Sequence, residues 1–554
     1  MEQEIKNCQN CKQEFVIESD DFAFYGKMGV QPPISCPDCR FKIRAQFRNE
    51  MTLYSRKCDL CHRSIISMYN PKSPYTVYCE ECYRSDKWDP YSFGQDYDPS
   101  QPFFSQLGKL FQRVPKMAIF SDHTRPSVNS EYINYSGANK NCYLIFNGGD
   151  SENSMYSRGT RFLTDTSDIY FGQKLERCYE GINVNQSNGV RFSKNVTSGV
   201  DSDFIFNGVN VQDCFGCVNL KHKNNYFLNE AIDRVVYKKK TEEIRGSYLK
   251  IKNFSEKFQK FSLKFPRREN NNLKTIDCSG DYIFESKNCH NCFEAAVCEN
   301  CKYGFFVKNS KDCYDFTGFG YNAELLIECV GVGFSQRIIG TYWSENSHDI
   351  QYCFSVFSSE YCLGCDSLNN GQYVILNKKY TPNQFNEIRQ NILKELQSKG
   401  IYGSFMPPSI APFAYNETIA QDYMPLSKED AIAAGFRWEE NLQITKGRET
   451  LKSENIPDNI KDVSDSIENE ILACVSCGRN YRIIKQELEF YRKEILPIPR
   501  QCFYCRHKQR VEDGGGLKLY DRKCDKCGKQ IKTTYAPDRP EIVYCEQCYQ
   551  QEVA

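Results

Sequence analysis

Histidine is scarce in this chain, six residues in 554. That scarcity removes the commonest general base and catalytic metal ligand from most of the sequence. Glycine-rich phosphate loops are missing, and no Ser or Cys lies in a recognisable nucleophile motif, so no catalytic constellation is readable and the balance is toward a non-enzyme. Net charge is missing too: 71 basic and 71 acidic side chains cancel, which leaves local patches to decide on any anionic partner. No stretch approaches the roughly 18 consecutive apolar residues of a membrane span, so a soluble protein without a membrane partner is expected. The opening Met1-Glu2-Gln3-Glu4-Ile5-Lys6 has no charged region leading into an apolar one, so the thirty cysteines are expected in a reducing cytoplasm.

What the chain has in abundance is cysteine at strict spacing. Cys8, Cys11, Cys36, Cys39, Cys58, Cys61, Cys79 and Cys82 reappear as Cys474, Cys477, Cys502, Cys505, Cys524, Cys527, Cys545 and Cys548, at a constant offset of 466 residues. The same offset carries Arg56-Lys57-Cys58-Asp59 onto Arg522-Lys523-Cys524-Asp525, and Val77-Tyr78-Cys79-Glu80 onto Val543-Tyr544-Cys545-Glu546. Two CxxC pairs supply the four thiolates of a tetrahedral Zn²⁺ shell, so four zinc ions per chain are expected. Such shells leave no open coordination position and are structural. Segments of about 45 residues bury too little surface to fold without the metal. Sequential pairing of neighbouring knuckles closes the shorter loops and is preferred; interleaved cross-brace pairing is the alternative. His62 and His507 flank knuckles, but Gly528 and Phe41 stand at the equivalent positions, so neither is needed as a ligand.

The stretch Cys8 to Cys39, with Phe24-Tyr25-Gly26 and Pro33, resembles treble-clef or zinc-ribbon segments, and Cys58 to Tyr83 and Cys524 to Tyr549 look like companion zinc ribbons. Together with Lys140-Asn141-Cys142-Tyr143-Leu144 and Phe413-Ala414-Tyr415-Asn416-Glu417, the chain resembles an uncharacterised cysteine-rich bacterial family with such modules flanking a β-solenoid-like repeat region. The resemblance implies zinc and architecture and supplies no reaction.

The middle is also duplicated, less strictly, over about 128–250 and 276–398, with Cys142 matching Cys289 and Leu228-Asn229 matching Leu376-Asn377. Within each copy a period of about 11 to 13 residues places a polar, then a small, then an aromatic or β-branched residue, as at Asn141-Cys142-Tyr143 and Asp312-Cys313-Tyr314. The fold class expected is mainly β: a central right-handed parallel β-solenoid in two homologous halves, two units per coil of about 24 residues, flanked by the zinc modules, with a few helices. An antiparallel β-sandwich is the alternative. Cys289, Cys292, Cys298 and Cys301 could hold a further zinc or an iron–sulfur cluster, but Cys289, Cys301 and Cys313 are twelve apart, as stacked interior residues would be.

Thr381 and Pro382 begin a helix with Phe385, Ile388, Ile392 and Leu396 on one face, and Ser427 caps a short one. Residues 238–274 carry twelve basic and four acidic side chains around Phe254, Phe258, Phe261 and Phe265. The expected division is zinc ribbons at 1–50 and 51–92, a linker at 93–127, solenoid half 1 at 128–237, a basic helical insertion at 238–275, half 2 at 276–378, a helix and extension at 379–448, an acidic flexible tether at 449–470, and ribbons at 471–511 and 512–554.

Arg40, Arg44 and Arg48 fall at i, i+4 and i+8, and the copy keeps Arg506 and Arg510; on a helix they share one face suited to phosphates. The expected function is therefore a non-enzymatic zinc-binding scaffold whose modules contact RNA or DNA. A protein-assembly factor gripping a protein partner is the alternative, and a carbohydrate-binding or carbohydrate-active solenoid a more remote one.

Overall fold

The computed structural model describes residues 2–122, 124–318 and 320–553. The fold is mainly β. In the middle of the chain strand order follows sequence order: Ile133–Gly137, Tyr143–Gly149, Met155–Thr164, Ser167–Glu176, Tyr179–Asn188, Arg191–Thr197 and Asp203–Phe227 lie side by side. A second sheet runs likewise from Ile276–Phe284 to Gln372–Ile375. Pairing is parallel, with Tyr143 opposite Met155, then Ser167, Tyr179, Arg191 and Asp203, and in the second sheet Gln336 opposite His348, then Glu360 and Gln372. These pairings exclude the antiparallel sandwich. They also correct the 24-residue coil: each twelve-residue unit pairs directly with the next.

The reason lies in the backbone. From Phe192 to Leu228 every third residue has φ between +42° and +69°, through Asn195, Ser198, Asp201, Phe204, Asn207, Asn210, Asp213 and Gly216. A left-handed residue cannot continue a pleated strand, so the chain bends four times per twelve residues. Asn and Asp tolerate this conformation because their side chains bond locally. The same side chains then bond across the twelve-residue step: Asn183, Asn195, Asn207 and Asn219 form a ladder of amide contacts at 3.0, 3.1 and 3.1 Å. On the interior side, small polar residues mend the backbone bonding that the bends interrupt. Ser202 Oγ donates to Val200 O at 2.8 Å and accepts Cys214 N at 3.1 Å, and Thr166, Ser193 and Ser359 do the same.

Cysteine occupies equivalent interior positions. Cys289, Cys301 and Cys313 are register partners, and their thiols reach the carbonyl oxygens of Lys287, Glu299 and Lys311 at 3.4, 3.4 and 3.2 Å. They are buried among Ile283, Val307, Leu326 and Ile338, as small hydrophobes with a weak donor.

Among the helices that position the rest are α1 (Pro37–Ala45), α2 (Phe103–Arg113), α3 (Arg234–Ile244), α4 (Tyr248–Ser262), α5 (Pro382–Ser398) and α6 (Phe503–Gly514). The duplication extends to them. α3 and α5 follow the two sheets from the equivalent caps Asp233 and Thr381. α2 and α4 each precede a two-residue strand that pairs with a cysteine module, Lys116–Met117 with Val77–Tyr78 and Arg267–Arg268 with Val543–Tyr544. Each lays a Phe over the last turn of a sheet where a glycine leaves room: an added Cβ at Gly364 would stand 2.7 Å from Phe103, and one at Gly216 2.7 Å from Phe254. Residues 93–127 are thus no mere linker, since α2 buries Phe103, Leu107, Leu110 and Phe111.

The expected acidic tether is likewise a packed strap. Ile456, Ile460, Val463 and Ile467 recur at steps of 4, 3 and 4 and bury themselves against Leu488, Tyr491 and Leu496. Asp458 accepts Leu249 N at 2.8 Å, tying the strap to the start of α4. Its exposed Glu and Asp side chains are only the outer face of this segment.

Candidate metal centres

Four groups of four cysteines converge: Cys8/Cys11/Cys36/Cys39, Cys58/Cys61/Cys79/Cys82, Cys474/Cys477/Cys502/Cys505 and Cys524/Cys527/Cys545/Cys548, the Sγ atoms of each lying within 4.8 Å of one another. This is the sequential grouping. Between knuckles the sulfurs approach to 3.6 Å (Cys11 and Cys36) and 3.8 Å (Cys61 and Cys79, Cys477 and Cys502, Cys527 and Cys545). A tetrahedron with metal–sulfur bonds of about 2.3 Å has sulfur edges of about 3.8 Å, so the donor set fits a tetrahedral metal.

Local structure builds each shell. The residue after the first knuckle is left-handed in every copy, Lys12, His62, Gly478 and Gly528 with φ of 63°, 60°, 71° and 76°. That is the work of His62: it turns the chain, and glycine does it in the copy. The second knuckle opens a helix, so Cys36 and Cys502 cap α1 and α6. Backbone N–H groups then point at sulfur, from Cys36 to Cys8, Cys79 to Cys58 and Cys545 to Cys524, at 3.2, 3.3 and 3.2 Å. Such donors favour thiolate. The Cys61 thiol is pulled down to about 6, first by the Arg63 guanidinium, and Cys524 to about 6, where the N–H groups of Cys545 and Cys527 outweigh burial.

The arginine face requires correction. Arg40, Arg44, Arg48, Arg506 and Arg510 share faces of α1 and α6 and their continuation, but those faces are turned into the sheets, with exposures of 4, 0, 0, 5 and 3 %. Arg40 pairs with Asp315 at 2.9 Å, and Arg44 with Asp315 and Glu328 at 3.1 and 2.6 Å. In the copy, Arg506 pairs with Asp168 at 2.9 Å, and Arg510 with Asp168 and Glu180 at 2.9 and 2.7 Å. Arg48 pairs with Glu50, which also holds Arg158, both at 2.6 Å, and lies 4.1 Å from the Tyr135 ring centroid. A guanidinium spent on a buried carboxylate is not available to a phosphate. Docking of these two helices is crossed: α1 of the N-terminal module sits on the second sheet and α6 of the C-terminal module on the first.

Sequence reasoning missed the carboxylates. Asp168 and Glu180 are twelve apart on adjacent strands, and Asp315 and Glu328 stand 147 and 148 residues further on, the offset that relates the two halves. Burial raises Asp168 less than Arg506 and Arg510 lower it, so its carboxyl titrates below the usual range; burial wins at Glu180, which moves up, and at Glu328, pushed up to about 7. His507 lies on the same buried face against Tyr170 and Phe503, and burial pushes its pKa well below the usual value.

No family model and no curated protein matches the chain. Among solved structures, a UDP-N-acetylglucosamine acyltransferase from Campylobacter jejuni aligns at 7 % identity over 52 % of this chain and 99 % of that one, with a TM-score of 0.08, which carries no argument about fold or activity. Among the described residues no helix is long and apolar enough to cross a membrane.

Proposed function

We propose that the protein is a zinc-stapled, non-enzymatic scaffold that binds RNA through the lysine face of α3 and α4. Zinc is favoured by the all-thiolate tetrahedra, which suit a metal without geometric preference and leave no place for substrate. The twelve-residue register with four bends per step is what a square-sectioned parallel β-solenoid requires. Unbridged interior thiols suit a reducing compartment such as the cytoplasm. Elemental analysis of protein purified without added metal should return four zinc per chain. Two or fewer, or iron in excess, overturns the assignment.

One comparison within the molecule carries the RNA reading. α2 and α4 do the same capping work, yet α2 has two cations, Lys109 and Arg113, both bonded to glutamines, at 3.0 Å and 2.5 Å. On α4, four lysines, Lys250, Lys252, Lys257 and Lys260, are exposed, as are Lys264 just beyond it and Lys238, Lys239 and Lys240 on α3, and among the described residues none is in an ion pair. Capping does not need this charge. A cluster of unpaired lysines binds phosphate polymers by counterion release, with a steep salt dependence. Lys250, Lys257 and Lys260 recur at steps of 7 and 3 on one helix face. Changing these three to Gln should weaken binding of a single-stranded RNA at 50 mM salt at least tenfold and lower the salt slope by roughly 2, at about 0.7 per phosphate contact. Absence of saturable binding by the wild type, or unchanged binding by the triple variant, replaces this reading with a protein partner.

A further inference from the structure

Where the two sheets face each other they leave a cavity of about 250 Å³. Tyr170 and Phe171 come from the first sheet, and Tyr282, Phe284 and Phe306 from the second. Phe171 and Phe306 approach across the gap with ring centroids 5.7 Å apart. The wall is kept open at Gly159, where an added Cβ would stand 2.8 Å from the Phe171 ring. An apolar cavity of about 150 Å³ admits benzene, so this one has room for about two fused rings.

The charge on the wall is unbalanced. Lys308 reaches into the lining with its Nζ 5.5 Å from the Phe306 centroid and, among the described residues, has no ion-pair partner. Arg161, on the same wall, is 4.0 Å from Asp150 and 5.7 Å from the Tyr321 centroid. The one carboxyl in the lining, Glu294, accepts a hydrogen bond from Tyr170 at 3.0 Å. Burial pushes Glu294 up to about 8, so at neutral pH it is mostly uncharged and does not neutralise the two cations. Lys308 is therefore held beside an aromatic slot without a matching anion, and Arg161 is only loosely paired, at the 4.0 Å limit and with an Asp150 that it shares with Arg125. Burial and the neighbouring Arg161 hold Lys308 below its usual range, which is the cost an incoming anion would relieve.

From the aromatic walls, the unpaired Lys308 and the loosely paired Arg161 beside it, we infer that this cavity is a binding site for a small planar aromatic anion, of about two fused rings with one carboxylate or phosphate. The rings would lie against Phe171 and Phe306, and the acidic group would meet Lys308 and Arg161. Nothing in this assignment depends on the lysine face of α4, which lies elsewhere on the molecule.

The test uses full-length protein and three probes of one shape, followed by calorimetry: 2-naphthoate, 2-naphthyl phosphate and the neutral 2-naphthalenemethanol. At least one acid should bind saturably below 1 mM and at least tenfold more tightly than the alcohol, a factor of ten being about 1.4 kcal/mol. Preference for the phosphate assigns a phosphorylated ligand, and preference for the naphthoate a carboxylate. Lys308→Gln and Arg161→Gln, checked for folding by circular dichroism, should each erase most of the preference for acid while leaving alcohol binding within about twofold. Equal affinity for acid and alcohol, no saturable binding of either acid, or an unchanged preference in both folded variants overturns the assignment.

Discussion

Replacing Asp168 with Ala should destabilise the protein by about 3–5 kcal/mol, the cost of leaving buried guanidinium groups without their counter-charge. Asp168 is fully buried and serves both Arg506 and Arg510, so one substitution leaves two cations to share Glu180 alone. Denaturant unfolding measures the loss. Asp315→Ala should behave alike at Arg40 and Arg44. A quadruple variant, Asp168→Leu and Glu180→Gln with Arg506→Met and Arg510→Met, should recover most of the loss, because uncharged residues of similar volume replace the whole buried cluster at little cost. If the single variant loses less than about 1 kcal/mol, the pairing is not what holds α6 on the sheet. The pH dependence has a definite sign. Asp168 titrates lower in the folded chain than in the unfolded one, so its contribution is complete above about pH 4 and fades as pH falls through the folded value. Glu328 is shifted the other way, to about 7, so the folded chain holds a proton that the unfolded chain has lost, and that contribution fades as pH rises from about 4.3 through 7. Glu328→Gln should therefore remove stability loss on the neutral side, and Asp168→Ala on the acid side.

The metal shells could be read from the sequence because a CxxC pair is local, and the 466-residue repeat leaves little freedom in how pairs combine. The twelve-residue step was also visible, in Cys289, Cys301 and Cys313, but what each unit pairs with was not. Pairing at a step of 12 rather than 24 residues goes with left-handed φ at Phe, Tyr, Lys and Glu as well as Asn, for instance at Phe204 and Glu180, and composition gives no sign of that. The arginines show a different limit. Spacing of four correctly put Arg40 and Arg44, and Arg506 and Arg510, on one helix face, but whether a charged face meets water or a carboxylate depends on residues more than 270 positions away. The signal that could have decided it was covariation inside the chain itself: both module copies keep the arginines, and both middle copies keep an acidic pair. In the same way Ile456, Ile460, Val463 and Ile467 carried a helical-face period through a segment whose acidic composition suggested a tether.

Crossed docking makes the third cysteine cluster a part of the first sheet, and this sets the expected effect of Cys502→Ser. Cys502 is both a shell member and the N-cap of α6, the helix that brings Arg506, His507 and Arg510 to Asp168 and Glu180. Opening this shell frees the start of α6, and withdrawal of α6 leaves Asp168 buried without its cations. The variant should lose one of four metal equivalents and also fail to protect the strands from Tyr143 to Thr197 against hydrogen exchange, because metal binding supplies on the order of 10 kcal/mol to such modules and the sheet draws on it through the ion pairs. Cys527→Ser is the control. Its cluster meets the first sheet through hydrogen bonds rather than ion pairs, Tyr549 to Asn207 and Asn219 at 3.2 and 3.0 Å, and its ion pair to the middle of the chain, Glu546 with Arg268 at 2.8 Å, lies outside those strands, so it should also lose one metal yet leave them protected. Equal exchange in the two variants would mean that α6 stays docked without its metal, and that the buried ion pairs alone hold the module on the sheet.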